Sequence, residues 1–204
     1  MNIGIVGIHT GIGKTVCSTV ICQALGYDYW KPVQAGDLEN TDSLFIKNNV
    51  SNPSCAVHPE RYKLLTAASP HYAASLESID IQKQHFVLPV TKNNLVVETA
   101  GGLMSPLSTS LLNVDLIEYL KLPIILVSNN YLGSINHTLL TYSIIKDRKI
   151  PVIGLVFVGE ATPSTEKFIL EYTRLPLLFS IPWFKTLSPK ILQAFAQSIS
   201  IKLS

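Results

Sequence analysis

Apolar runs alternate along this chain with stretches in which apolar residues recur at helical spacing. Ile3–Val6, Leu95–Val97, Ile124–Val127 and Val152–Val158 are apolar at nearly every position. That pattern belongs to strands covered on both faces, not to strands with one wet side. Asp28–Lys31 reads as a short second strand and Leu177–Ile181 as a late one. Helical spacing is carried by Lys14–Leu25, Asn113–Leu120, Ile135–Lys146 and Ser188–Ser200. Strand and helix in alternation predict an α/β fold: one domain over residues 1–204, with a mainly parallel sheet flanked by helices on both faces. The segment Asn48–Pro89, with its prolines and scattered polar positions, shows neither period and is expected as loops and short helices over one edge.

The first strand runs into Gly7-Ile8-His9-Thr10-Gly11-Ile12-Gly13-Lys14-Thr15, and a helix follows. Backbone N–H groups at a helix N-terminus bind phosphate oxygens, and glycines let the chain wrap tightly around them. A lysine at position 14 supplies charge to the outer phosphates, and a hydroxyl at position 15 is suited to ligate Mg2+. The usual spacing of this phosphate loop would put a glycine at position 8; Ile8 stands there and the glycine comes one residue earlier. Such a loop names a superfamily and no reaction.

Composition removes several classes of function. The 204 residues are 47% hydrophobic and 15% charged, and the mean hydropathy of +0.30 fits a sheet buried on both faces or a subunit interface. No run approaches the roughly 20 apolar residues of a membrane span, and Ile150–Val158 is broken by Pro151 and Gly154. The apolar N-terminus meets the glycine-rich loop with no basic leader, so a cleaved signal is not expected. A net charge of +2 with no basic run or stripe excludes a nucleic-acid footprint. Cys17, Cys22 and Cys55 lack metal-ligand spacing, the first two fall in an expected helix and read as buried structural thiols, and the cytoplasm is the expected compartment.

Three further charged residues sit where strands end. Glu98 closes an apolar strand and precedes Gly101-Gly102; it is either a metal ligand beside phosphate or a solvated strand end. Asp42, in a polar turn, fits metal binding or helix capping equally. Lys31, before Pro32, is either a surface lysine or a group that binds an anionic substrate and stabilises charge in phosphoryl transfer.

Taken together, these segments resemble the dethiobiotin synthetases. The resemblance rests on the loop Gly7–Thr15 with its unusual spacing, on Lys31-Pro32-Val33 with Gly36, on Asp42, and on Ser69-Pro70-His71. It continues through Glu98-Thr99-Ala100-Gly101-Gly102 with Pro106-Leu107, Leu132-Gly133-Ser134-Ile135-Asn136-His137, and Ile181-Pro182-Trp183. The matches fall in one order over nearly the whole chain. The resemblance implies a cytoplasmic, ATP- and Mg2+-dependent enzyme in which 7,8-diaminononanoate captures CO2 (or bicarbonate-derived CO2) as a carbamate. ATP phosphorylates the carbamate, and the second amine closes the ureido ring. It implies Lys14 and Lys31 as catalytic residues and Thr15, Asp42 and Glu98 as the Mg2+ ligands. Gly11, Ile12, Gly13, Val16, Thr99, Ala100, Gly101, Ile181, Pro182 and Trp183 would contact nucleotide. Thr10, Lys31, Ala35, Gly101, Asn136 and Tyr172 would contact substrate, the last two from the second subunit of a homodimer. No membrane or nucleic-acid partner is implied.

The chain departs from the family at three places. Ala35 stands where a serine or threonine touches substrate, His9 where an aspartate is common, and Gly159-Glu160 where an Asn-Asp pair reads adenine. Weak selection of the base is therefore expected. Two other readings stay open: an ATP-driven partitioning or positioning switch, which usually carries a second lysine in the loop, and a degenerate nucleotide-binding copy without catalysis.

Overall fold

The computed structural model describes residues 1–201 and 203. In chain order the elements are β1 (Asn2–Gly7), α1 (Lys14–Leu25), β2 (Asp28–Trp30), β3 (Val33–Ala35), α2 (Asp42–Asn49), β4 (Val57–His58), β5 (Tyr62–Leu64) and α3 (Pro70–Leu76). After a 3₁₀ turn at Lys83–His85 come β6 (Leu95–Glu98), β7 (Pro106–Ser108), β8 (Leu111–Leu112), α4 (Asn113–Tyr119), β9 (Ile124–Asn129) and α5 (Ser134–Asp147). The chain closes with β10 (Val152–Val158), α6 (Pro163–Thr173), β11 (Leu177–Ile181) and α7 (Pro189–Ser198). Seven strands form one sheet in the order β11-β10-β9-β1-β6-β2-β4, every pair of it parallel.

The two faces of this sheet explain the unbroken apolar runs. In β1, Ile3 and Ile5 point toward α1 and α7 and pack with Cys17, Val20, Ile21 and Leu192. Val6 points the other way, into a cluster with Ile117, Ile145 and Ile169 from α4, α5 and α6. Successive residues thus enter different cores, and no position from Ile3 to Gly7 reaches water. Gly4, on the second face, has no room for a side chain: a Cβ there would lie 2.8 Å from Ile117 Cδ1.

The structure corrects the sequence reading in three places. The second strand stops at Trp30, and Lys31 lies just beyond it. Asn48–Pro89 does more than cover an edge, since Val57 and His58 pair with Tyr29 and Trp30 and supply the seventh strand. Its β5 also pairs with β3, Val33 against Tyr62 and Ala35 against Leu64. The third correction is α6, which the sequence reading passed over. Proline at its first turn starts it, yet only Ile169 and Thr173 are buried, a stripe too narrow to show as an amphipathic period.

Candidate active site

Register brings the chemistry together. Ile5 of β1 pairs with Glu98 of β6, and Trp30 of β2 pairs with Val97. The residues that follow three adjacent strands therefore emerge side by side at the carboxyl edge of the sheet, where parallel α/β folds bind ligands. They are the phosphate loop after β1, Glu98 at the end of β6, and Lys31 after β2.

Two glycines of the phosphate loop, Gly7 and Gly13, have no space for a side chain. A Cβ on Gly7 would lie 2.6 Å from Ile12 Cδ1, and one on Gly13 would lie 2.7 Å from Val158 Cγ1. Gly13 also sits at φ 95°, in left-handed backbone, where it caps α1. Gly11 is exposed, Ile12 is buried beneath the loop, and Val16 is half-buried one turn into α1. Thr10 is exposed at the loop tip, where its carbonyl meets His9 Nδ1.

Lys14 is folded back under the loop with its Nζ donating to His9 O at 3.3 Å. Burial takes the ammonium out of water and lowers its pKa from 10.5 to about 8; Glu98 pulls it up and Lys31 pushes it further down. Lys31, also buried, is lowered for the same reason, with Glu98 and Glu60 opposing. Two buried ammonium groups whose pKa values burial has lowered form a site that gains from a bound polyanion.

Around them three oxygens converge. Thr15 Oγ1 lies 2.8 Å from Asp42 Oδ1 and 2.8 Å from Glu98 Oε1. A hydroxyl has one proton and can donate to one of these carboxylates only. The other contact sets oxygen against oxygen, which a bound cation would relieve. Hard oxygen donors of this kind suit Mg2+, which keeps several waters and takes few protein ligands. Among the described residues no group of three His, Cys, Asp or Glu is assembled for a metal. The geometry fits the expected set of Thr15, Asp42 and Glu98.

The strand-end reading of Glu98 and the cap reading of Asp42 both fail here. Glu98 is 1% exposed, so it is no solvated strand end. Asp42 is the first residue of α2, but the cap is its neighbour: Thr41 Oγ1 accepts from Leu44 N at 3.1 Å. Asp42 is left free to face the site, favoured there by the helix N-terminus. Its Oδ2 forms an ion pair with Lys31 Nζ, so Lys31 is no surface lysine. Thr99 is fixed by its N–H to Ile5 O at 3.1 Å. The Ala100–Gly102 turn is held by Asn113 Nδ2, which donates to Ala100 O at 2.6 Å and Gly102 O at 2.9 Å. Asn113 opens α4 and carried no signal in the sequence.

Beside the loop lies a cleft of about 930 Å³ whose walls include Gly11, Ile12, Gly13 and Val16 together with Ile181, Pro182 and Trp183. The resemblance had grouped these two segments, and both line this one cleft. The structure adds Phe157, Ser180, Phe184 and Leu187 as apolar and small surfaces. Gly159, at φ 105°, has nothing within 4 Å of where a Cβ would be. Asn130, also on the wall, spends its amide on the cleft itself, donating to Glu160 O at 2.9 Å and Glu166 Oε1 at 2.6 Å.

The expected substrate contacts are more dispersed. Ala35 is half-buried in β3. Asn136 is exposed in the first turn of α5, whose cap is Gly133 without a side-chain bond, so Asn136 does not cap the helix. The loop before α5 reaches the phosphate loop, where the Tyr131 ring meets His9 edge-on at 5.4 Å. Tyr172 is exposed in the last turn of α6 and stacks on Phe168. Since α6 carries the chain from the carboxyl end of β10 to the amino end of β11, that turn is far from the loop, and one chain alone does not join Tyr172 to the cluster.

A family model described as an AAA domain matches residues 1–190. The ATP-dependent dethiobiotin synthetases of Brucella ovis and Brucella abortus are each 41% identical to this chain over 198 residues, 97% of it and 93% of their own length. Among solved structures, a ParA family ATPase from Chlorobium tepidum TLS superposes with a TM-score of 0.56 at 14% identity, covering 96% of this chain and 97% of its own. The MinC:MinD cell division complex of Aquifex aeolicus gives 0.55 at 14%, covering 100% and 98%. At that identity the structural likeness is one of fold.

Proposed function

This chain belongs to the dethiobiotin synthetase family and is an ATP-using ligase of biotin synthesis, and we propose the following assignment of its residues to that reaction. The observation that carries it is the convergence of Lys14, Thr15, Lys31, Asp42 and Glu98 at the ends of three neighbouring strands. The nucleotide's phosphates lie on the loop Gly11–Thr15, its base in the cleft against Ile181-Pro182-Trp183. Thr15, Asp42 and Glu98 hold Mg2+, which when bound neutralises charge on the outer phosphates. Lys14 and Lys31 flank the phosphoryl group and the carbamate formed from 7,8-diaminononanoate and CO2. A carbamate oxygen is a weak nucleophile, so the protein acts by positioning it and offsetting its charge. The second amine then displaces phosphate and closes the ring.

A direct assay tests this reading. Protein mixed with 7,8-diaminononanoate, bicarbonate, Mg2+ and ATP is expected to give dethiobiotin by mass spectrometry, with loss of product on omitting any one component. A folded protein that makes none with any nucleotide would instead support the switch or degenerate reading.

The assignment includes poor discrimination of the base. The cleft offers apolar walls and, at Gly159, an open edge in place of a side chain. Asn130 Nδ2 is engaged within the wall, which leaves, among the described residues, only the buried side-chain oxygens of Asn129 and Asn130 without a partner beside the cleft. So few polar groups make the penalty for a wrong base small. Rates with ATP, GTP and CTP at saturating substrate are expected within about tenfold of one another; a preference for ATP above a hundredfold, as a buried hydrogen-bonding reader produces, would overturn this point.

Asn136 and Tyr172 enter the assignment through a second copy of the chain. Leu132, Leu140, Phe168 and Tyr172 are exposed on α5, α6 and the loop before α5, an apolar surface suited to a subunit contact. Sedimentation equilibrium at micromolar concentration is expected to give twice the chain mass, and an active monomer would remove the shared site. A cytoplasmic location is part of the same reading. It is supported by three free cysteines and by the finding that no helix among the described residues is long and apolar enough to cross a membrane.

A further inference from the structure

We propose that Tyr29 and Ser18 are positioning residues that hold Glu98 in its metal-binding orientation. This rests on Glu98 being a ligand of Mg2+. The carboxylate is divided between two tasks. Its Oε2 accepts from Ser18 Oγ at 2.7 Å and from Tyr29 Oη at 3.0 Å, while Oε1 faces Thr15 Oγ1 at 2.8 Å. One oxygen is anchored to the fold, and the other is presented to the site.

The backbone makes this arrangement possible. Tyr29 pairs with Val96, and Glu98, two residues further along β6, lies on the same face of the sheet as Val96. The Tyr29 ring runs up that face beneath α1, fully buried, and delivers its hydroxyl to the strand end. Ser18 is one turn into α1 from Lys14 and Thr15, also fully buried. The Ser18 hydroxyl has two acceptors, Lys14 O at 3.0 Å and Glu98 Oε2 at 2.7 Å. Its single proton goes to the nearer, charged one. A carboxylate can only accept, so the phenol donates.

A buried glutamate without these donors would rotate to share both oxygens with Thr15 and the lysines, and the ion would meet a ligand in the wrong place. Outer partners of metal ligands typically carry about tenfold to a hundredfold in metal affinity. Tyr29 is therefore more than core filling: its ring packs, but its oxygen has Glu98 as the partner the fold provides.

Mn2+ serves as the probe, with the free ion followed by electron paramagnetic resonance as it is titrated into the ADP-bound full-length protein. Tyr29→Phe is expected to weaken Mn2+ binding about tenfold while leaving the affinity for ADP in EDTA unchanged. Ser18→Ala is expected to act in the same direction, and Ser18→Thr, which keeps the hydroxyl, to restore binding. Glu98→Gln is the control. If Glu98→Gln leaves Mn2+ binding intact, Glu98 is no ligand and the underlying metal assignment falls with the proposal. If Glu98→Gln weakens Mn2+ but Tyr29→Phe and Ser18→Ala stay within twofold of the parent, the metal assignment stands and the positioning role is overturned. A lowered melting temperature in Tyr29→Phe with unchanged Mn2+ affinity would likewise reduce Tyr29 to packing.

Discussion

A Lys14→Met variant is expected to lose about a thousandfold in turnover and yet to unfold at a higher temperature than the parent. The two effects have one cause. Lys14 is buried under the phosphate loop as an ammonium, and burial has lowered its pKa from 10.5 to about 8. At neutral pH the folded protein therefore holds a charge that the unfolded chain holds more comfortably, a cost of about 3 kcal/mol at 1.36 kcal/mol per pKa unit. Methionine fills a similar volume without that charge. It also gives up the bond to His9 O, while the attraction to Glu98 is already contained in the lowered pKa, so the net gain is about 1–2 kcal/mol, or roughly 3–6 °C for a chain of this size.

The sign has a pH signature. Between about 8 and 10.5 the unfolded chain binds the proton and the folded one does not, so the parent gains stability as pH rises through that window. The melting difference between variant and parent is thus largest below pH 8 and shrinks toward pH 10.5. Turnover falls because a cation that stabilises charge only as it develops on the phosphoryl group has been removed. Thermal denaturation without nucleotide across pH 7–10, beside steady-state kinetics, checks both. A variant that melts below the parent at pH 7 would show that the buried charge is fully compensated by its neighbours.

A Lys31→Ala variant is expected to lose about a hundredfold to a thousandfold in dethiobiotin formation while its affinity for ADP stays within about threefold. The phosphate loop is built from β1 and α1, whereas Lys31 arrives from β2 and touches Asp42. In the proposed assignment the lysine serves the reacting end of the site and leaves the nucleotide's binding surface alone. Asp42 keeps Thr15 as a partner at 2.8 Å and is 30% exposed, so losing the ion pair strands no buried charge. Product formation and ADP calorimetry on the same preparation separate the two quantities. Near-normal turnover would remove Lys31 from the chemistry, and a parallel loss of ADP affinity would make it a nucleotide ligand instead.

Much of this molecule was legible before any fold was known, and the reason is local. The loop Gly7–Thr15 declares itself because each of its residues has a task that its neighbours in sequence complete: glycines bend, backbone donors face inward, and Lys14 and Thr15 follow at the helix start. The long strands β1, β9 and β10 were visible because burial on both faces writes apolar residues at consecutive positions. Short or one-sided elements left no such trace. β4 is two residues long and exists through pairing with Tyr29 and Trp30, and α6 buries little more than Ile169 and Thr173.

The sequence by itself determined the fold class, the phosphate-binding loop, and the candidate set Lys14, Thr15, Lys31, Asp42 and Glu98, since residue type beside a strand end is written in one dimension. Tertiary structure alone removed the solvated-end, helix-cap and surface-lysine meanings of Glu98, Asp42 and Lys31. Glu98 is buried because β6 lies between β1 and β2; Asp42 faces the site because Thr41 takes the cap; Lys31 meets Asp42 because α2 folds back over β2. It also decided that Ser18 and Tyr29, 80 and 69 residues from Glu98, share one of its oxygens. Hydrogen bonds over such separations depend on strand register and helix placement, which are set by the packing of the whole sheet and not by any local run of residues.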